Sequence, residues 1–93
     1  MNIYLVSQGY VGYDTYNSFV CYAKTKKAAR RLYPRGFYKY LNGNWVYSKR
    51  KIISNRNTDW VRANKIHILN VKLLGKTNSK QKKGVILASF NAG

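Results

Sequence analysis

Only two carboxylates, Asp14 and Asp59, stand against eighteen lysines and arginines, leaving a formal charge of +16 on 93 residues. Any fold built from this chain must carry cations that its own acids cannot pair. Self-repulsion on that scale costs stability and raises affinity for anions. A coding bias toward AT-rich triplets accounts for abundant Lys, Asn, Tyr and Ile. It does not account for the acid shortage, because Asp and Glu codons tolerate AT-richness, and the arginines also run against it. The charge therefore reads as functional, in line with the basic excess that marks nucleic-acid binders.

The length fits one domain spanning residues 1–93, with room for a modest core. Apolar residues make up 45% of the chain, too many for a disordered basic tail. Cys21 is the sole cysteine, which rules out an intrachain disulfide and fits a reducing compartment. The segment MNIYLVSQGY lacks the basic start and long apolar run of a signal peptide. No stretch approaches the ~20 apolar residues that span a bilayer, so no membrane partner is expected.

The chain predicts strands over Asn2–Ser7 and Ser18–Lys24, separated by a loop from Gln8 to Asn17. Thr25 is placed to cap a helix over Lys26–Tyr33, with Ala28, Ala29 and Leu32 on one face and Pro34 as the stop. Asn42-Gly43 is a turn signal between Phe37–Leu41 and Trp45–Ser48, which predicts a hairpin. Lys49–Asn57 is polar, basic and expected to be mobile. A helical turn is expected over Thr58–Asn64. Strands over Lys65–Leu74 and Gly84–Phe90 complete the reading, and as sequential runs they default to an antiparallel pair. The expected fold is α+β: a mostly antiparallel sheet of about four strands, in the order β-β-α-β-β, with one short helix on one face.

The helix concentrates the charge. Lys24, Lys26, Lys27, Arg30, Arg31 and Arg35 fall in one segment without an acid. Lys26 and Lys27 sit in the first turn, where the helix dipole disfavours cations. Lys26–Arg30 and Lys27–Arg31 are like-charge pairs that cost about 0.2–0.5 kcal/mol each in an isolated helix. Positions that break local rules without visible compensation point toward function. A second basic group is Lys49, Arg50, Lys51 and Arg56, and a third is Lys76, Lys80, Lys82 and Lys83. Tyr38, Tyr40, Trp45 and Tyr47 lie near these cations and are the candidates for stacking on bases while Lys and Arg hold phosphates. Trp60, beside an apolar run, is read as core.

The catalytic inventory is thin. His67 has no acid partner in sequence, and Cys21 lies mid-strand as a small core residue. Two acids do not make a paired-carboxylate or two-metal site, and no P-loop, dinucleotide or zinc motif occurs. No enzyme activity, metal or cofactor is expected.

Two segments carry a resemblance. Tyr13-Asp14-Thr15-Tyr16-Asn17-Ser18 leads into a strand and a short helix ending at Tyr33-Pro34. Trp60-Val61, Val71 to Gly75, and the run from Gly84 to Phe90-Asn91-Ala92-Gly93 follow. This pattern resembles small phage-encoded proteins of unassigned function with a YDTYDS-like start and an ASFNAG-like finish. It leaves Arg35 to Asn57 uncovered. The helix in that group is typically acidic and here it is basic, so the basic face is no requirement of the fold and no binding role carries over. The resemblance implies a phage origin, action in the cytoplasm of an infected bacterial host, and a role in countering host defence or redirecting host machinery.

Three functions compete at this point. The first is nucleic-acid binding, to DNA or RNA, through the basic helix and loops. The second is an anti-CRISPR-type inhibitor docking on the acidic surface of a host defence protein or ribonucleoprotein. The third is a sponge for a phosphorylated signalling nucleotide. A homodimer is compatible with each.

Overall fold

A computed structural model describes residues 1–9, 15–35, 38–47, 51–52, 59–77 and 83–91. In chain order these form β1 (Asn2–Ser7), β2 (Thr15–Ala23), α1 (Lys26–Arg30), β3 (Tyr38–Leu41), β4 (Asn44–Tyr47), β5 (Lys51–Ile52), a 3₁₀ helix (Ala63–Ile68), β6 (Asn70–Lys76) and β7 (Gly84–Asn91). The α+β expectation holds. The larger sheet has four strands in the order β6-β1-β2-β7, and a smaller one has three in the order β3-β4-β5.

Antiparallel pairing of β1 with β2 sets Tyr4 opposite Cys21 and Val6 opposite Phe19. All four side chains are buried, so period-two alternation turns one face of this sheet into core. Helix α1 packs over strands of this sheet through Ala29. Tyr33, Trp45, Trp60, Ala63 and Leu69 join the same cluster, so a single core lies between the two sheets. Trp60 is core, as its neighbourhood in sequence implies.

The last two strands do not pair. β6 lies against β1 and β7 against β2, at opposite edges of the sheet. Sequential pairing is only a default for short connections. Burial decides here: Val71 opposes Val6, and Ala88 opposes Phe19, extending the inner face in both directions. A terminal β6–β7 hairpin would instead leave one central strand at an edge. At about 4.8 Å per strand, β6 and β7 are separated by roughly 14 Å, which a few extended residues bridge.

Other boundaries moved for local reasons. β2 begins at Thr15, so the end of the predicted loop is strand. The helix stops at Arg30 and not at Tyr33. The amides of Arg31 and Leu32 donate to the carbonyls of Ala28 and Ala29, each at 3.2 Å, which tightens the last turn. Leu32 then bridges to Lys39, and Pro34 biases Tyr33 away from helical geometry.

The predicted strand from Lys65 starts only at Asn70. Ala63, Ile66 and Leu69 recur every third residue and turn inward, while Asn64, Lys65, His67 and Ile68 are exposed. A three-residue period suits a 3₁₀ turn, and it prevails over the Ile66/Ile68 alternation. The hairpin is as expected: Asn42 (φ 49°) and Gly43 (φ 79°) both occupy the left-handed region that a two-residue loop needs. Of the Lys49–Asn57 stretch, only Lys51–Ile52 is described, and it forms a third strand beside β4.

Candidate anion-binding cleft

Thr25 caps α1 through its hydroxyl, which accepts from the Ala28 amide at 3.0 Å. No acid stands in the first turn. Lys24, Lys26 and Lys27 are exposed there. Arg30 is half-buried, and its Nε is enclosed without a hydrogen-bond partner among the described residues. It sits in the last turn, where the dipole favours a cation.

Arg31 supplies the compensation that the sequence did not reveal. Its guanidinium lies 4.8 Å from the centroid of the Tyr40 ring. Such a cation–π contact is worth about 0.5–1 kcal/mol at an exposed site, enough to offset one like-charge pair.

Arg35 departs from expectation. Its Nε donates to Asp59 Oδ2 at 2.8 Å, while the Tyr33 hydroxyl donates to Asp59 Oδ1. The Asp59 carboxylate holds the Arg35 pKa above its usual value. Burial, followed by the bond to Asp59, pushes the Tyr33 hydroxyl well above the tyrosine range and keeps it a donor. The Asp59 carbonyl also accepts from the Tyr16 amide at 2.9 Å. Arg35 is thus first a structural partner of the one acid among the described residues.

Trp45 is the clearest correction. It was expected to stack on bases, yet it is 1% exposed and central to the core. Its indole N–H donates to the Val61 carbonyl at 2.8 Å, and the Tyr33 ring meets it edge-on at 5.1 Å. Facing Tyr40 across the hairpin turns it inward. Tyr38 and Tyr40 share that face but remain half-buried, and Tyr47 is exposed at its end. Side chains of Lys49, Arg50, Lys51 and Arg56 lie outside the described residues.

Around Tyr38 and Tyr40 opens a cleft of about 700 Å³ between the end of α1, strand β3 and the start of β7. Among the described residues its cations are Arg31, Lys39 and Lys83, and no described carboxylate lines it. Only Arg31 among these was a candidate site residue. Lys39 had a signal, a cation alternating with Tyr38 and Tyr40 on a hairpin strand. Lys83 had only its place in a basic run, since nothing local shows that β7 passes beside β3.

Other reactive groups offer little. Burial raises the Cys21 thiol to about 11, which keeps it protonated near neutrality. No group of three or more His, Cys, Asp or Glu able to hold a metal occurs among the described residues. No helix there is long and apolar enough to cross a membrane. No protein-family model matches the chain, and neither a curated protein nor a solved structure gives a significant match. The chemistry must therefore be read from the cleft itself: cations for phosphate or carboxylate oxygens, beside flat aromatic and guanidinium surfaces.

Proposed function

We propose that the protein binds nucleic acid, with the cleft taking an unstacked nucleotide and the exposed cations of α1 holding flanking phosphates. The observation that carries this reading is the lining itself: among the described residues, three cations, two half-buried tyrosines and no acid around one concavity. Arg31 lies over the Tyr40 ring, 4.8 Å from its centroid, and its guanidinium can stack on a base, as arginine planes do in single-strand recognition. Lys39 and Lys83 then neutralise the attached phosphate. Lys24, Lys26 and Lys27 extend the cationic path along the helix. A concave site of this kind favours single strands over duplex. In its biological setting the protein acts as a phage accessory factor in the host cytoplasm, against host defence or on host machinery.

Fluorescence anisotropy with labelled single-stranded and duplex oligonucleotides across a salt series tests the proposal. Neutralising roughly six to eight phosphates gives a slope of log K on log salt of about −4 to −6 on single strands. Absence of binding at low salt overturns it. A second reading has its own support, because about 700 Å³ lies in the size range of small-molecule sites. In that reading the cleft sequesters a phosphorylated signalling nucleotide. Calorimetric saturation by a mononucleotide at one site per chain, with no affinity for oligonucleotides, would establish it in place of the first.

A further inference from the structure

We infer that the outer face of the larger sheet is the interface of a homodimer, in which two such faces pack against each other as a sandwich. The strand register defines this face. One row across the sheet runs Lys72, Leu5, Val20, Leu87, and the next runs Gly75, Ile3, Tyr22, Gly84. These residues alternate with the buried Tyr4, Val6, Phe19 and Cys21, so they point away from the core. Leu87 is 68% exposed at the centre of β7. Ile86 and Leu74, at the register shifts of β7 and β6, are also exposed. Contiguous apolar surface of this kind on a small domain marks an interaction site.

Charge identifies the occupant. Every lysine and arginine lies between Lys24 and Lys83, so β1, β2 and β7 contain none. Lys72, on the edge strand β6, is the only cation in the two rows. On a chain of +16, most surfaces repel a second copy, and this face does not. It also offers an acidic partner almost nothing to pair with. A neutral, apolar sheet face meets its complement in an identical sheet related by a two-fold axis, with Lys72 carried to the rim.

The glycines add an independent indication. Gly75 and Gly84 end the Ile3–Tyr22 row, and neither has a positive φ. A Cβ at either position meets nothing within 4 Å among the described residues, so none of these requires glycine there. Gly75 lies inside β6, and glycine inside a strand often marks the close approach of another backbone, which a packed second sheet provides; Gly84 opens β7 at the rim of the cleft. Because α1 packs on the opposite face, such a dimer turns its two basic helices outward in opposite directions, able to engage two nucleic-acid segments at once.

Sedimentation equilibrium across protein and salt concentration tests the interface on the wild type and on Leu87→Lys. The wild type is expected to dimerise more tightly as salt screens the repulsion between two +16 chains, opposite to the salt dependence of polyanion binding. Leu87→Lys is expected to be monomeric with an unchanged circular dichroism spectrum and unchanged oligonucleotide affinity per chain. Leu87→Ser, a milder change, weakens dimerisation by about tenfold and serves if the lysine variant fails to fold. A wild type that stays monomeric up to its solubility limit overturns the inference. So does a dimer that survives both substitutions, or one that dissociates on adding salt.

Discussion

Phe19 and Val20 are neighbours on β2 and point to opposite faces of the larger sheet. Phe19 is 1% exposed, with its ring 5.3 Å from that of Trp60. Val20 lies beside the exposed Leu87, and no described element of the same chain covers it. Both faces carry the apolar residues of a core. What separates them is what the rest of the chain brings: α1, the 3₁₀ helix and the smaller sheet all go to the Phe19 side. Alternation thus tells which residues share a face, and only distant segments decide which face is enclosed.

The largest effect that sharpens this contrast is expected at Phe19. Phe19→Ala should cost about 3–5 kcal/mol in urea denaturation, through lost burial and the cavity left under Trp60. A cost below about 1 kcal/mol would mean that the inner face is no more a core than the outer one.

The next concerns Cys21, on the same face. Its folded pKa is raised from 9.0 to about 11, so its contribution is fully present below pH 9 and is lost as pH rises through about 11. The loss reaches about 2–3 kcal/mol once the thiol ionises in both states. Denaturation of the wild type and Cys21→Ala on both sides of this window checks it. The wild type should lose its margin over the variant at high pH, and parallel pH profiles would place Cys21 in contact with water.

The smallest effect belongs to Val20. At low protein concentration Val20→Thr should change stability by less than about 1 kcal/mol, because its side chain is only partly enclosed within the single chain. A loss comparable to that of Phe19→Ala would show that the outer face is already covered.

The local features of this fold were legible. Thr25 capping, the Asn42-Gly43 turn and the central β1–β2 strands follow from residues close together in sequence. The pairing of β6 with β1 did not, since it depends on which arrangement buries Val71 and Ala88 together. Ile66 and Ile68 alternate like strand residues, and only the spacing of Ala63, Ile66 and Leu69 betrays a tighter turn. The candidate site divides in the same way. The exposed cations Lys24, Lys26 and Lys27 stand out as a basic run around the helix start without an acid, although in the five-residue helix Lys27 already belongs to the last turn. The burial of Trp45 and the engagement of Arg35 were hidden, because each depends on a residue far along the chain, Val61 and Asp59. Lys83 reaches the cleft only because β7 pairs with β2 and not with β6.

Asp59 joins the amide of Tyr16, the hydroxyl of Tyr33 and the guanidinium of Arg35 at one point. The chain that leaves at Arg35 and returns at Asp59, 24 residues later, is therefore fastened at its neck. Closing a loop costs entropy that grows only with the logarithm of its length. An excursion fastened in this way can gain or lose residues away from the hairpin with little penalty, while the two sheets keep their places.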